Sequence, residues 1–332
     1  MNGSCVDHVL LTRFNVPTPG PESLIRAQDG WLLQRVALFE RFCQPSVAYQ
    51  DNRNFHWIVY FDPESPSWLL SWLHDWGRDG LFHPILRTKI SAEDLRTDLR
   101  EIISGPTRAA LLTTNLDNDD ALAVDFVDHL QRAAATIQSS WTQDDNEARR
   151  IAMYVPNGLI RQGDLVYRRH DPRNAFCSVL EEWTDPVTCW TDWHNRLHLT
   201  MDEGFVGSPA GWLQVIHGTN VSNRVQGSLV SPHGHRTRFP GLLDDLTSPG
   251  PAVLARDIAV GRPVRVLREM ARGVAKRAVL ALAGTEGLTT AKDHLEHWKH
   301  RGWHFSVPRP EGSTPRIPRA PEQAPDQTRR GR

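Results

Sequence analysis

The stretch Leu111-Leu112-Thr113-Thr114-Asn115-Leu116-Asp117-Asn118-Asp119-Asp120-Ala121-Leu122 contains three carboxylates within four positions, directly after an apolar run. The apolar run, 109–114, is typical of a buried strand, and the apolar spacing over 121–135 predicts that a helix follows. In an open α/β sheet, ligands bind at the carboxyl ends of the strands. The stretch therefore predicts a parallel α/β fold and also the place of its functional site.

The chain before this stretch alternates between strand and helix patterns. Two dense β-former runs and three helical spacings are visible, namely strands at 6–14 and 56–61 and helices at 31–42, 68–76 and 91–103. Ser91 and Asp94 have the spacing of an N-cap and its capping box. The alternation predicts an α/β fold with a Rossmann-type, mostly parallel central sheet flanked by helices.

The charge of the chain is unevenly distributed. Its 332 residues include 38 Lys or Arg and 39 Asp or Glu, and the net charge of −1 excludes a bulk nucleic-acid binder. Residues 262–332 nonetheless hold fifteen basic and seven acidic side chains, whereas the first 261 residues hold 23 and 32. We therefore expect a globular domain over 1–248 with halves at 1–150 and 151–248, a basic helical extension over 249–306, and a disordered Pro- and Arg-rich tail over 307–332.

Several classes of protein lack their signatures here. The four cysteines include no CxxC pair, which favours reduced thiols and a cytoplasmic protein. No apolar run approaches the ~18 residues of a membrane span, and the first residues do not resemble a secretory signal. The sequence contains no GxxxxGK[ST] loop, no GxGxxG and no GxSxG.

The three carboxylates of 117–120 require compensation, because like charges so close together repel each other. A divalent cation such as Mn²⁺ or Mg²⁺, bound by one or two carboxylates and by substrate phosphates, would supply it. The alternative is structural, since Asp119 and Asp120 would also suit the N-terminus of a following helix. The strand-to-helix context and the third carboxylate favour the cation.

Five segments together resemble a known family, the putative rhamnosyltransferases, which are nucleotide-sugar glycosyltransferases of the GT-A type. The resemblance covers about residues 6–230 and excludes the basic extension. In chain order the segments are Thr12-Arg13-Phe14-Asn15, Trp57 to Pro66 with its Asp62, Leu116-Asp117-Asn118-Asp119-Asp120-Ala121, Pro156-Asn157-Gly158 followed by Leu165 to Arg169, and Trp212 to Asn223. The ordered set is much more specific than the acidic motif alone.

The resemblance implies roles for individual residues. A nucleotide-diphosphate sugar would be the donor, with Asp117 on the ribose or nucleotide side and Asp62 near the base or ribose. The segment with Thr12, Arg13 and Asn15 would form the floor beneath the nucleotide. Asp119, with Asp120 beside it, would bind a divalent metal through the diphosphate, and the metal would stabilise the leaving group as a Lewis acid.

Two basic residues further along are candidates for the same site. His217 follows the apolar run 212–216 and is similar in position to a late histidine that contacts the metal or the phosphates in GT-A enzymes. The alternative is a structural hydrogen-bonding histidine. Arg168 would offset phosphate charge in the donor site, or would be a solvated cation on an edge strand.

An inverting transfer requires a base for the acceptor hydroxyl. Among the seven acids within 171–203, we favour Asp202, which precedes Gly204, Gly207 and Gly211 in a stretch that would form a loop at the site mouth. An ordinary solvated acid is the alternative, and a retaining enzyme would need no such base.

Apolar residues repeat at intervals of three and four over 264–281, with arginines beside them, and predict a basic amphipathic helix. Such a helix would lie on an anionic membrane surface at the inner face of the cell membrane, where a lipid-linked acceptor is found, or would pack against its own domain. The sequence thus favours a metal-dependent glycosyltransferase that moves a sugar, rhamnose by its family resemblance, to a glycan or lipid-linked acceptor. A non-catalytic nucleotide- or carbohydrate-binding protein and a membrane-surface scaffold are the alternatives.

Overall fold

The computed structural model describes residues 6–17, 30–77, 80–105, 108, 110–141, 149–217, 224–272 and 274. The strands of this part are β1 (Val6–Arg13), β2 (His56–Phe61), β3 (His83–Leu86), β4 (Ala110–Asn115), β5 (Ala121–Leu122), β6 (Arg150–Tyr154), β7 (Asn157–Gln162), β8 (Leu165–His170), β9 (Ser178–Glu182), β10 (Asp202–Phe205), β11 (Trp212–Ile216) and β12 (Ser228–Val230). Its α-helices with defined bounds are α1 (Trp31–Leu38), α2 (Gln44–Ala48), α3 (Ser67–Gly77), α4 (Ala92–Ile102), α5 (Phe126–Ser139) and α6 (Pro251–Arg256).

The larger sheet has the strand order β10-β6-β9-β4-β1-β2-β3 within the described residues. Strands β1 to β4 run parallel to one another, and β10 runs parallel to β6. Strand β9 is antiparallel to both of its neighbours. This mostly parallel sheet confirms the predicted fold class, and the carboxyl ends of β1, β2 and β4 lie at the same edge.

The centre of the sheet consists of strands that are buried along almost their whole length. In β1 every residue before Arg13 is buried, and in β4 every residue before Asn115 is buried. Such strands require cover on both faces. Separate apolar clusters provide it, one with Phe39 and Trp57 and the other with Tyr60 and Leu99.

Helix α4 begins as predicted. The Ser91 hydroxyl accepts a hydrogen bond from the Asp94 amide at 3.1 Å, and the Asp94 carboxylate accepts one from the Ser91 amide at 3.0 Å. This reciprocal pair is a capping box, which satisfies two amide groups that the helix itself leaves without partners. The local signal of the sequence was sufficient here because both partners lie within one turn.

The segment after the acidic motif differs from the prediction. The helix expected over 121–135 begins only at Phe126, with Asp125 as its N-cap residue. Residues 121–122 instead form strand β5, in which Ala121 pairs with Leu213 of β11. The predicted helix start was wrong because pairing with a distant strand takes up this backbone, so Asp119 and Asp120 do not cap a helix.

A smaller sheet has the order β12-β8-β7-β11-β5 in the described part of the chain. Strands β7 and β8 form one hairpin, whose turn contains Gly163 at a φ of 55°. On β7, a Cβ atom at Gly158 would lie 2.0 Å from the Trp212 ring, so the close approach of β7 and β11 requires glycine there. The sheet carries β11 and the residue that follows it, His217, to the acidic motif.

The chain beyond Pro249 is helical as far as the structure describes it. Helix α6 continues through a π-helical turn, Asp257–Gly261, into a helix over 262–272. Asp257 anchors this region, because its carboxylate accepts the Leu229 amide at 3.0 Å and pairs with Arg265 at 2.7 Å. The rest of the predicted basic helix and the predicted disordered tail lie outside the described residues. No described helix has the length and apolar character needed to cross a membrane.

Candidate functional site

The acidic loop, Asp117–Asp120, lies over the carboxyl ends of β1 and β4. Leu116 fixes its start, since the Leu116 amide donates to the Leu11 carbonyl at 3.0 Å and its carbonyl accepts the Thr12 hydroxyl at 2.7 Å. At its centre, the Asn118 side-chain amide donates to the Phe14 carbonyl at 2.6 Å. The loop is therefore held against the end of β1 in a defined conformation.

Asp119 lies between two basic side chains. Its Oδ2 is 2.9 Å from Arg35 Nη1 and 2.8 Å from His217 Nε2, so that this ring nitrogen carries a hydrogen and donates it. Burial opposes ionisation of Asp119, but the His217 hydrogen bond and the Arg35 charge outweigh it and hold the pKa of Asp119 below its usual range. Asp119 is therefore a buried carboxylate that remains ionised.

Asp120 connects the acidic loop to the smaller sheet. Its side chain is fully buried, and Oδ1 accepts the Val215 amide of β11 at 2.8 Å. Its Oδ2 is also buried and has no hydrogen-bond partner among the residues that the structure describes. Burial first, and then the charges of Asp119 and Asp117, raise the pKa of Asp120 well above its usual range.

Asp117 is the acid of the loop that faces solvent. The side chain is exposed by area but closely surrounded by protein atoms, and this crowding together with the Asp119 charge raises the pKa of Asp117 to about 6. The Asn115 amide is 3.3 Å from Asp117 Oδ1. Asp117 is thus the carboxylate of this loop that a ligand reaches first.

The predicted floor segment after β1 makes contacts mainly within the protein. The Thr12 hydroxyl donates to the Leu116 carbonyl and accepts the Trp57 indole N–H at 2.9 Å, and Thr12 is fully buried. The Asn15 side chain accepts the Asp62 amide at 3.0 Å and donates to Ser65 at 2.9 Å. These bonds bring Asn15 and Asp62 together at the ends of β1 and β2, while the Thr12 side chain is occupied inside the sheet.

Arg13 is exposed at the same edge. Its guanidinium carbon lies 4.1 Å from the centre of the Trp190 ring, a cation–π geometry. Trp190 in turn donates its indole N–H to Asn115 at 2.7 Å. Arg13 therefore stands beside the acidic loop, where a positive charge suits a phosphate.

The structure does not bring Asp202 to this group. Asp202 begins edge strand β10, where it pairs with Ile151 of β6. Across β9, Ile151 is level with Leu112, which lies inside β4 and not at the end of that strand. Strand β10 is three strands from β4, which at the usual spacing is about 14 Å. The residue was expected at a loop at the site mouth, but parallel pairing with β6 turns this segment into the sheet edge.

Arg168 also lies apart from the acidic loop. It is exposed on β8 and pairs through its backbone with Ser228, and among the described residues it makes no hydrogen bond or ion pair with the acidic loop. Burial and then the nearby charge of Arg168 lower the pKa of His235, which belongs to the 3₁₀ turn Pro232–His235. The Arg168 side chain therefore lies toward this turn. The donor-binding role of Arg168 stays a prediction.

Arg35 is a residue of this site that the sequence did not indicate. It lies on α1, where its Nη1 also donates to the side-chain oxygen Oδ1 of Asn118 at 2.8 Å, and its guanidinium lies 5.3 Å from the Trp31 ring centre. Eighty residues separate it from the acidic motif. No local pattern distinguishes it from a solvated arginine on an amphipathic helix, and only tertiary packing reveals its partner.

The residues present fit a hard divalent cation by their chemistry, because carboxylate oxygens and an imidazole are its usual ligands. The buried Asp120 oxygen without a partner is the observation in favour. Within the described residues, no three His, Cys, Asp or Glu side chains are already arranged around one point as in a formed metal site. Asp119 and His217 instead contact each other directly.

The strand order and the charged loop at the carboxyl end of its middle strand define a class of protein, the α/β proteins with a mostly parallel central sheet and a polar site at the carboxyl ends of its strands. More particularly, a family model described as "Putative rhamnosyl transferase" matches residues 7–229, and the chain belongs to this family. Family membership confirms the predicted glycosyltransferase activity. No curated protein sequence matches the chain significantly.

Similar solved structures have little sequence in common with the chain. A putative nucleotide-diphospho-sugar transferase from Desulfovibrio desulfuricans G20 is 8% identical, with a TM-score of 0.32 over 65% of this chain and 84% of that chain. S. aureus TarS 1-349 in complex with UDP is 11% identical, with a TM-score of 0.35 over 92% of this chain and 95% of that chain. The inositol-1-phosphate CTP transferase from T. maritima is 10% identical, with a TM-score of 0.28 over 63% and 89%.

Proposed function

We propose that the protein is a metal-dependent glycosyltransferase that moves a sugar from a nucleotide-diphosphate donor to a glycan or lipid-linked acceptor. The family description supports rhamnose as the sugar. The observation that carries the proposal is the ionised Asp119, held between Arg35 and His217 at the carboxyl ends of β1 and β4. A structural loop would have no need of a buried charge at this edge of the sheet, since burying it costs free energy.

The donor nucleotide fits the edge formed by β1, β2 and β4. Asp62, held in place by the hydrogen bond of 3.0 Å from its backbone amide to Asn15, offers a carboxylate toward a base or ribose. Asp117 offers an exposed carboxylate for ribose hydroxyls, and Arg13 offers a guanidinium for phosphate. This arrangement supports a nucleoside diphosphate as the group that the site recognises.

Asp119 and His217 are the residues that would hold a divalent cation, Mn²⁺ or Mg²⁺. A bound cation supplies Lewis-acid stabilisation of the negative charge on the departing diphosphate. Arg35 donates to both Asp119 and Asn118, and in doing so fixes the orientation of the acidic loop. Asp120 as a further ligand stays a prediction, supported by its buried oxygen without a partner.

Calorimetric binding of UDP, dTDP and GDP, with and without Mn²⁺, tests the proposal. We expect one nucleotide to bind the wild type in a Mn²⁺-dependent manner and to bind D119N at least about 10-fold more weakly. Asp164, an exposed acid of the β7–β8 turn, provides the matched control, and D164N should bind like the wild type. Binding of none of the three nucleotides, or equal binding by D119N, would contradict the proposal.

The exposed face of the C-terminal helix supports an additional contact with a membrane. Its described part exposes apolar side chains including Leu267 and Met270, each 63% exposed, with Arg268 and Arg272 on the same helix. An apolar face with flanking arginines suits the surface of an anionic bilayer, where a lipid-linked acceptor resides. The alternative, that this helix packs against its own domain, is represented by Arg265, which donates to the Gly227 carbonyl at 3.0 Å and lies 5.0 Å from the Tyr167 ring centre.

Co-sedimentation with vesicles tests this contact. We expect the chain to sediment with vesicles of equal parts phosphatidylcholine and phosphatidylglycerol but not with phosphatidylcholine alone. Replacing Leu267 and Met270 with glutamate should abolish sedimentation, whereas R256E, on the preceding helix, serves as the control for charge alone. Unchanged sedimentation of the double variant would contradict the membrane contact.

A further inference from the structure

A polar cleft of about 200 Å³ lies between the two sheets, beside the acidic loop. Ala175 belongs to its wall, and the Ala175 carbonyl accepts the Asn115 side-chain amide at 2.8 Å. The same Asn115 amide is 3.3 Å from the Asp117 carboxylate. Gln214, on another wall, directly precedes the residue whose amide donates to Asp120. The cleft and the acidic loop are therefore immediate neighbours.

His194 lines this cleft on a segment that is fixed at two points. The Trp190 indole N–H donates to Asn115 at the end of β4 at 2.7 Å. The Tyr154 hydroxyl, at the end of β6, donates to the His194 carbonyl at 2.5 Å. These two anchors hold the imidazole at the carboxyl edge of the sheet, which is the edge of the acidic loop.

The His194 ring has an unusual environment for a partly buried histidine. Neither ring nitrogen has a hydrogen-bond partner among the residues that the structure describes. Burial lowers the pKa of His194, and the charge of Asp171 acts in the opposite direction. The imidazole is therefore neutral at pH 7 and has a free lone pair facing a polar space.

The charged groups around this ring come from three elements. Arg169 lies at the end of β8, and Asp171 follows that strand. Their side chains form an ion pair at 3.0 Å and line the same cleft. Arg224 lines it from the segment before β12. On its own segment His194 is close in sequence to Asp192, which pairs with Arg196 at 3.3 Å and so is already engaged.

We propose that this cleft binds the saccharide acceptor and that His194 is the catalytic base that accepts the proton of its attacking hydroxyl. The inference rests on the proposed donor site and adds the acceptor side to it. The Arg169, Asp171 and Gln214 side chains provide the mixed donors and acceptors that a polyhydroxylated ligand requires. Asp202, which the sequence favoured, lies about three strands from the acidic loop and does not line this cleft.

The chemistry balances in a single displacement. The acceptor oxygen forms a bond to the anomeric carbon of the donor sugar while its proton passes to a ring nitrogen of His194. The bond from the anomeric carbon to the diphosphate oxygen breaks, and its electron pair leaves on the nucleoside diphosphate. Asp171 stabilises the resulting imidazolium by its charge, and a direct displacement of this kind inverts the anomeric configuration.

The experiment measures release of nucleoside diphosphate from nucleotide sugar, with water as the probe acceptor, between pH 5 and 8. The donor is the sugar derivative of whichever nucleotide binds. We expect H194Q to lower the rate at pH 7 by about 100-fold or more and to lose the acid limb of the pH profile. Nucleotide affinity should change less than about 2-fold, because His194 lies outside the donor site.

H198Q is the matched control, as His198 is on the same segment but does not line the cleft. It should retain the wild-type rate and pH profile. D171N should move the acid limb to lower pH, because loss of its negative charge disfavours the protonated imidazole. The shift separates a base from a merely structural histidine, since a packing role would leave the pH profile unchanged.

Three results would overturn the inference. If H194Q has an unchanged rate or an unchanged acid limb, His194 is not the base. The same follows if the wild type binds nucleotide but releases no nucleoside diphosphate from the nucleotide sugar. Loss of nucleotide binding by H194Q would indicate a structural role. A wild type that binds no nucleotide at all would instead contradict the proposed donor site, which the calorimetric experiment identifies separately.

Discussion

Two polar clusters adjoin strand β4, and they are constructed in opposite ways. The first lies inside the protein, where His8 Nε2 is 2.9 Å from the Thr114 hydroxyl, Thr114 is 2.7 Å from Ser178, and Gln131 is 3.3 Å from His8 Nδ1. All four side chains are buried, and burial lowers the pKa of His8 to about 3, so the cluster is neutral. The second cluster is the acidic loop, which begins three residues further along.

The polar groups of the interior cluster are hydrogen-bonded to one another, whereas the acidic loop contains a polar group without a hydrogen-bond partner among the described residues. Asp120 retains a buried oxygen without a partner, Asp117 faces solvent, and three carboxylates share four positions. Buried polar groups in native proteins are generally hydrogen-bonded, so an exception requires another explanation. The difference indicates that polar residues whose hydrogen bonds are all made within the protein support this fold, whereas those that lack partners are available to a ligand.

The comparison predicts first that charge removal from the acidic loop affects activity and not stability. D117N should lower the rate of nucleoside-diphosphate release at least about 100-fold, because the exposed carboxylate is proposed to contact the donor. The free energy of unfolding in urea should be unchanged or higher, since a like charge beside Asp119 is removed. D164N is the control for removal of an exposed acid.

If D117N loses activity because its free energy of unfolding falls, the acidic loop supports the fold as the interior cluster does. The proposed difference between the two clusters would then be wrong. An unchanged release rate would also contradict it, because Asp117 would have no part in the reaction.

The opposite pattern is expected for the interior cluster. H8L should lower the free energy of unfolding by about 3 kcal/mol, because it removes one buried hydrogen-bond partner from Gln131 and one from Thr114. Nucleotide affinity of the folded protein should not change. S178A, which removes only one end of the network, should cost about 1 kcal/mol and provides the graded control. A loss of binding by H8L at full stability would contradict this assignment.

The interior cluster should also dominate the pH dependence of stability. His8 is neutral when folded, with a pKa of about 3, but ionises near pH 6.5 when unfolded. The unfolded state therefore binds more protons below pH 6.5, and stability falls as pH falls, by up to ~1.4 kcal/mol per pH unit. His83, His194 and His235, whose pKa values are also lowered by burial, add with the same sign.

Urea unfolding at pH 7 and pH 5 measures this dependence. H8Q should lose the His8 part of the slope, about 2 kcal/mol over this interval. H198Q, a partly buried histidine outside the cluster, should retain the wild-type slope. An H8Q slope equal to that of the wild type would mean that His8 is protonated in the folded protein.

The contrast also explains how much of the site the sequence predicted. The acidic loop was correctly expected at a strand end, because apolar β4 and its charged continuation are adjacent in sequence. His217, which the family resemblance placed near the metal or the phosphates, contacts Asp119. Arg35 was missed because its partner lies 84 positions away and its own helix contains no signal for it.

The errors share one physical cause, which is pairing between distant segments. Residues 121–122 have helical apolar spacing, but Ala121 pairs with Leu213 and becomes a strand. Glycines after Asp202 suggested a loop, but pairing with β6 makes 202–205 an edge strand. His194 had no pattern at all, since its position depends on bonds to Asn115 through Trp190 and to Tyr154. Local periodicity predicts which segments are regular, whereas long-range pairing decides which of their residues meet.

Asp120 provides the finest test, because it belongs to both kinds of cluster. Its Oδ1 accepts the Val215 amide, as a structural residue would, while its Oδ2 has no partner. D120N retains an acceptor for Val215 and removes the ionisable group beside Asp117 and Asp119. We therefore expect the free energy of unfolding at pH 7 to change by less than about 1 kcal/mol.

D120A removes the acceptor as well and should destabilise the protein by about 1–3 kcal/mol. Urea unfolding of the two variants separates the roles of the two oxygens. If D120N is as damaging as D120A, the oxygen without a partner is held by its charge, and the loop is then stabilised electrostatically rather than by the single bond to β11. If D120N is stable but fails to bind nucleotide with Mn²⁺, the same oxygen belongs to the cation site. One oxygen of Asp120 then supports the fold, and the other serves the ligand.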